Sequence, residues 1–140
     1  MNKLIRNILF PLLVLLFSCD KPGLFVSCSD CKEEDPVDVS LEIKIDPYEL
    51  TNHSCEISIF EGNLEENILI GKYSADKSPT SIKVRVNKKY TVTGTYYNYG
   101  IFYTAVDSAT PKVQFESDLC EKPCYLVYDN KLDLRIKYTL

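Results

Sequence analysis

Val37-Asp-Val-Ser-Leu-Glu-Ile-Lys-Ile45 decides the fold. Val37, Val39, Leu41, Ile43 and Ile45 are apolar, and every residue between them is polar or charged. Successive side chains on an extended chain point to opposite faces, so this period of two predicts a strand with one face in a core and one in water. A helix would need the apolar positions three and four apart.

The same period recurs towards the C-terminus. Cys55-Glu-Ile-Ser-Ile-Phe60 ends at Glu61-Gly62-Asn63. A less regular run covers residues 68–73. Ile82, Val84 and Val86 alternate with Ser81, Lys83 and Arg85, and Tyr90, Val92, Gly94 and Tyr96 alternate with three threonines and Tyr97. Further strands are predicted at 101–106, 124–128 and 132–138, and a weaker one at 113–115. Asn98-Tyr99-Gly100 and Asp129-Asn130 supply turn residues between them. No stretch has the period of a long helix. Strands with one polar face suit antiparallel sheets packed face to face. The expected fold is therefore all-β: a single antiparallel β-sandwich of seven to nine strands over residues 37–140. A closed barrel is the alternative.

The first nineteen residues carry an address. Lys3 and Arg6 precede an uncharged apolar run over 8–17. Ten helical residues cover only ~15 Å, about half the hydrocarbon thickness of a bilayer. That suits a signal peptide better than a membrane span. Leu16-Phe17-Ser18-Cys19 resembles the lipobox of signal peptidase II substrates, which implies that residues 1–18 are removed and that Cys19 is lipidated. Two or three acyl chains, at ~0.8 kcal/mol per buried methylene, would anchor the protein stably. The expected location is the cell envelope, most simply the outer membrane. Residues 19–36, with Lys21-Pro22-Gly23 and the acidic Glu33-Glu34-Asp35, read as a tether from that anchor to the domain.

The chain has sixteen Lys+Arg and twenty Asp+Glu. The leader holds two of the basic residues and none of the acidic ones, so the remainder carries fourteen against twenty, a net charge of −6. That balance argues against nucleic acid and against recruitment to anionic lipid by charge.

Five cysteines follow Cys19: Cys28, Cys31, Cys55, Cys120 and Cys124. In an oxidising envelope the expectation is two disulfides among Cys28, Cys31, Cys120 and Cys124, with the pairing not legible. Cys55 shares the strand face of Ile57 and Ile59, which makes it the candidate buried thiol. The two close pairs also have the spacing of a four-cysteine zinc site, an alternative that the compartment disfavours. A redox Cys-x-x-Cys needs a helix N-terminus and a βα context, and neither follows Cys31.

Other candidate chemistry is sparse, and no catalytic residue, metal or cofactor is expected. The acidic cluster Asp30, Glu33, Glu34, Asp35 and Asp38 lacks the ligand alternation and turn glycine of a calcium loop. His53, the single histidine, reads as a solvated loop residue. Glu65 and Glu66 are adjacent and would not share a glycosidase geometry. Tyr97 and Tyr99, beside a hairpin, are the binding candidates, since exposed tyrosines stack on sugars or anchor protein partners. Asp107-Ser108-Ala109 resembles an O-glycosylation acceptor motif of Bacteroidetes-type envelopes, with Ser108 expected on an exposed strand-end turn. An ordinary turn is the alternative.

The order of Val84-Arg-Val-Asn87, Tyr90-Thr-Val-Thr93, Tyr96, Ile101-Phe-Tyr103 and Ala105-Val-Asp107 resembles the core of transthyretin-like and carboxypeptidase-regulatory-like sandwiches. With the lipobox and Asp118-Leu-Cys-Glu-Lys-Pro-Cys-Tyr125, the chain resembles small lipoproteins of Bacteroidetes type. A second similarity is to fimbrial anchor lipoproteins. These resemblances imply a noncatalytic accessory, adhesion or assembly module that binds an envelope protein or glycan. The rival expectation is an envelope thiol/disulfide or zinc-binding factor built on the cysteine pairs.

Overall fold

The structure, a computed structural model, describes residues 28–46, 54–98, 100–118 and 120–136. Nine strands lie among them: β1 (Asp38–Lys44), β2 (Cys55–Glu61), β3 (Ile68–Ala75), β4 (Thr80–Arg85), β5 (Tyr90–Asn98), β6 (Ile101–Ala109), β7 (Lys112–Glu116), β8 (Cys124–Tyr128) and β9 (Lys131–Asp133). Two short 3-10 turns, at Cys28–Asp30 and Leu64–Glu66, are the helical elements of the described residues.

The strands form a three-stranded sheet in the order β4-β1-β9, a four-stranded sheet in the order β3-β2-β5-β6, and a two-stranded β7-β8 hairpin. The first two sheets pack on each other, as the all-β sandwich reading expects. The period of two places each side chain. Val39, Leu41 and Ile43 of β1, with Ile45 just beyond it, point inward, as do Ile82 and Val84 of β4 and Leu132 and Leu134 at the chain end. Cys55, Ile57 and Ile59 of β2 and Tyr90, Val92 and Tyr96 of β5 meet them from the other sheet. Each fully buried aliphatic here contributes ~1.5–3 kcal/mol of transfer free energy.

Gly94 belongs to this layer for steric reasons. A Cβ there would sit 3.1 Å from the Cys55 sulfur and 3.2 Å from Leu134 Cδ1. The missing side chain lets the sheets close up at this point.

Several features depart from the pattern read in the sequence, three of them in how the chain is paired. First, β9 pairs with β1 in parallel, Glu42 to Lys131 through Lys44 to Asp133. The purely antiparallel expectation therefore fails at one interface. Alternation fixes which face a residue takes, not the direction of a partner ninety residues away. Second, the last strand is shorter than the expected 132–138. It ends at Asp133, although the Leu134 N–H still donates to the Lys44 carbonyl at 2.8 Å. Third, the stretch read as tether is docked at 28–32. Lys32 and Tyr125 exchange two backbone hydrogen bonds, of 3.0 and 2.8 Å, and disulfides flank that bridge.

The two long sides of the sandwich differ. Near β6 and β9, the Asp107 carboxylate accepts the N–H of Ser108 and the N–H of Asp133, both at 2.8 Å, and so ties the sheets together. On the opposite side β3 and β4 are both edge strands among the described residues.

Candidate functional site

β3 is the least protected strand. Glu56 to Thr95 and its neighbours hold β2 between β3 and β5, so among the described residues β3 is paired on one side only. Ile68, Leu69 and Ile70 are 52%, 47% and 48% exposed, and Tyr73 is 43% exposed. The register shifts between Ile59 and Phe60, so Ile70 falls between the pairs Ile59–Gly71 and Phe60–Leu69 and has no residue opposite it on β2. Native edge strands are usually kept short, carry charge or proline, or are covered. β3 has eight residues, no proline and a single charge, Lys72.

The outer face of the four-stranded sheet carries the aromatic candidate. Tyr97 and Phe102 are directly opposite on β5 and β6, with ring centroids 4.9 Å apart and planes tilted by 48°. Phe102 is 72% exposed. Beside them an open depression is lined by Glu56, Lys72, Ser74 and Thr95. Lys72 and Glu56 pair at 3.6 Å, and Thr95 and Thr104 share a hydroxyl contact of 3.4 Å. The expectation that Tyr96 turns inward and Tyr97 outward holds, because they are consecutive on one strand. Phe102 was missed. Its opposition to Tyr97 depends on the hairpin register, which alternation alone does not supply. Tyr99 lies outside the described residues, as do His53 and Cys19.

The cysteines converge beside the start of β8. Cys28 pairs with Cys120 and Cys31 with Cys124. The Cys31 and Cys120 sulfurs, from different disulfides, touch at 3.3 Å. Cys31, Cys120 and Cys124 present their sulfurs within 4.8 Å of one another. Cys55 is the buried free thiol among the described residues. Burial pushes its pKa up, the Tyr96 hydroxyl opposes that by hydrogen bonding, and the Asp46 and Glu56 carboxylates add to the rise. A buried thiol held protonated is inert rather than nucleophilic.

Tyr96 crosses the sandwich. Its hydroxyl donates to the Leu134 carbonyl at 2.9 Å and accepts the Asp46 N–H at 3.1 Å. Burial pushes its pKa well above the usual tyrosine range, and the Asp46 N–H only partly offsets that. The group is a structural strut.

Ser108 is exposed, but it lies within β6 opposite Thr91 and not on a turn. The strand runs three residues beyond the expected 106 because Asp107 satisfies the backbone of an edge instead of turning it. Glu65 and Glu66 occupy the 3-10 turn after β2, where Glu66 accepts from the Asn63 N–H at 3.2 Å and from the Asn63 amide at 2.9 Å. Asp38, from the acidic cluster, pairs with Lys83 at 3.4 Å.

No family model, curated protein or solved structure matches this chain.

Proposed function

We propose that this protein is a lipid-anchored, noncatalytic envelope module whose work is assembly: an extended segment of an envelope protein adds as a strand along β3. The observation that carries the reading is the β3 edge itself, three consecutive half-exposed aliphatics on a strand with no second neighbour among the described residues. In strand addition the main-chain hydrogen bonds supply affinity, and alternate side-chain contacts supply specificity. The anchor rests on the lipobox resemblance around Cys19. The resemblance to small Bacteroidetes-type lipoproteins and to fimbrial anchor lipoproteins adds support for accessory or assembly roles.

A photo-crosslinking residue in place of Leu69, used in native membranes, tests the edge. The expected result is a discrete adduct that disappears when Ile70→Pro removes a backbone donor and bends the strand. An adduct unaffected by that change, or none, overturns the reading. Fatty-acid labelling tests the anchor separately: Cys19→Ala should lose the label, and undiminished label would sink the assignment.

A second reading is favoured by the outer face. Tyr97 and Phe102 stand beside hydroxyls and an ion pair, a mixture that suits the apolar faces and polar edges of sugar rings. Titration of the chain with envelope polysaccharide should shift resonances of Thr95, Tyr97 and Phe102 and not those of β3. Shifts confined to β3 would favour assembly alone.

A further inference from the structure

We infer that Cys28, Cys31, Cys120 and Cys124 form a two-state site: a pair of disulfides when oxidised, and a tetrathiolate site for one zinc ion when reduced. The inference does not depend on the assembly reading, since the cluster lies on other elements than β3.

The first ground is distance. Four thiolates around zinc at ~2.3 Å stand about 3.8 Å from one another. The sulfurs of Cys31, Cys120 and Cys124 already lie within 4.8 Å of each other, the contact between the two disulfides is 3.3 Å, and the fourth sulfur, of Cys28, is bonded to one of the three, Cys120. Changing from two bonds to four ligands asks each bonded pair of sulfurs to part by about 1.8 Å and the Cys28 side chain to turn towards the other three.

The second ground is that the backbone holds the two halves together without the sulfurs. Cys28-x-x-Cys31 is shaped by a 3-10 turn at Cys28–Asp30, with the Cys31 N–H directed to the Cys28 carbonyl at 3.4 Å. Cys124 opens β8, which the β7 ladder fixes. Immediately beyond Cys31 and Cys124, Lys32 and Tyr125 exchange their two backbone hydrogen bonds. These backbone bonds do not run through the sulfurs, and they join the two segments that carry the ligand pairs. Preorganisation of this kind is what separates a metal site from four nearby cysteines.

The third ground is chemical. The surrounding charges are Lys32 and Lys122 against Glu33 and Glu121, which leaves soft sulfur as the dominant donor set. Such sulfur sets select zinc over the hard cations that prefer oxygen.

The redox step balances with a dithiol as reductant. Two equivalents deliver four electrons and four protons to the two S–S bonds, give four thiols, and leave as two oxidised disulfides. Zinc then displaces the four thiol protons and binds four thiolates, for a net charge of −2 at the centre.

The test uses the full-length chain in detergent, reduced anaerobically with a phosphine and given one equivalent of zinc chloride. Native mass spectrometry should find one zinc per chain after desalting. Mass-mapped alkylation should show Cys28, Cys31, Cys120 and Cys124 protected until a chelator is added, with Cys19 and Cys55 scored separately. Cobalt(II) in place of zinc should give the thiolate charge-transfer spectrum of a tetrahedral site. A Cys31→Ser/Cys124→Ser variant should bind zinc about 100-fold more weakly or worse. Failure to retain zinc, retention with all four cysteines still reactive, or equal affinity in the Ser variant each overturns the inference. Far-UV circular dichroism keeps the test decisive if reduction unfolds the chain: a β-sheet spectrum that is lost and not regained with zinc overturns it as well.

Discussion

Replacing Cys31 and Cys124 by alanine leaves the Cys28–Cys120 bridge to close the long loop by itself, and the reverse replacement does the same for the other pair. The two bridges span 92 and 93 residues, so they close almost the same loop. In the chain-entropy model a single bridge over such a loop is worth about 4.6 kcal/mol. Once it is in place, the second bridge closes only the small ring made of residues 28–31 and 120–124. That ring is worth about 2.5 kcal/mol on the same relation. Either pair removed alone should therefore cost about 2.5 kcal/mol, whereas removing both should cost about 7 kcal/mol, well beyond the sum of the single losses. Urea unfolding at pH 6, where thiols stay protonated, measures all four proteins. The m-value should rise most in the quadruple variant, whose unfolded chain is no longer looped. Single losses near 4.6 kcal/mol that add to give the double loss would refute the reasoning, because they would mean that the two bridges constrain separate loops.

Tyr96→Phe should destabilise the domain by about 2–3 kcal/mol. It strands the Leu134 carbonyl and the Asp46 N–H at the crossing point of the two sheets. A chemical-unfolding loss under about 0.5 kcal/mol would show that water replaces the hydroxyl there. Tyr90, Tyr96 and Cys55 all have folded-state pKa values raised above their ordinary ones, burial being the first cause in each. Their contribution to stability is complete below the unfolded-state values of 9.0 for the thiol and 10.0 for the tyrosines, and it is lost as pH rises from there towards the folded-state values. Stability should thus fall from about pH 9 upward, and ultraviolet titration should show at least two tyrosines ionising late. Ionisation of every tyrosine near pH 10 would refute this. The native protein and a Ser108→Ala variant should differ in intact mass by one oxygen, since Ser108 sits in a paired strand with Asp107 already engaged. A larger difference would show that a glycosyl group is attached at this edge.

The sequence by itself determined the class of fold and the inward face of almost every strand. A period of two needs no tertiary information. Once Leu41 faces the core, so do Val39 and Ile43, and Tyr96 must point opposite to Tyr97. It also singled out Cys55 as buried, from the strand face it shares with Ile57 and Ile59. The tertiary structure decided what depends on partners distant in the chain. These are the parallel β1-β9 pair, the opposition of Phe102 to Tyr97, the exposure of Ile68 to Ile70 on an edge, and the crossing of Cys28–Cys120 with Cys31–Cys124. An aliphatic run reads alike at an edge or in the middle of a sheet, because what differs is the presence of a neighbouring strand and not the run itself. In the same way, four cysteines carry no pairing in their spacing. The pairing needs the fold, in which the Lys32–Tyr125 bridge brings the segment at 28–32 beside the start of β8 and so within reach of the distant cysteines.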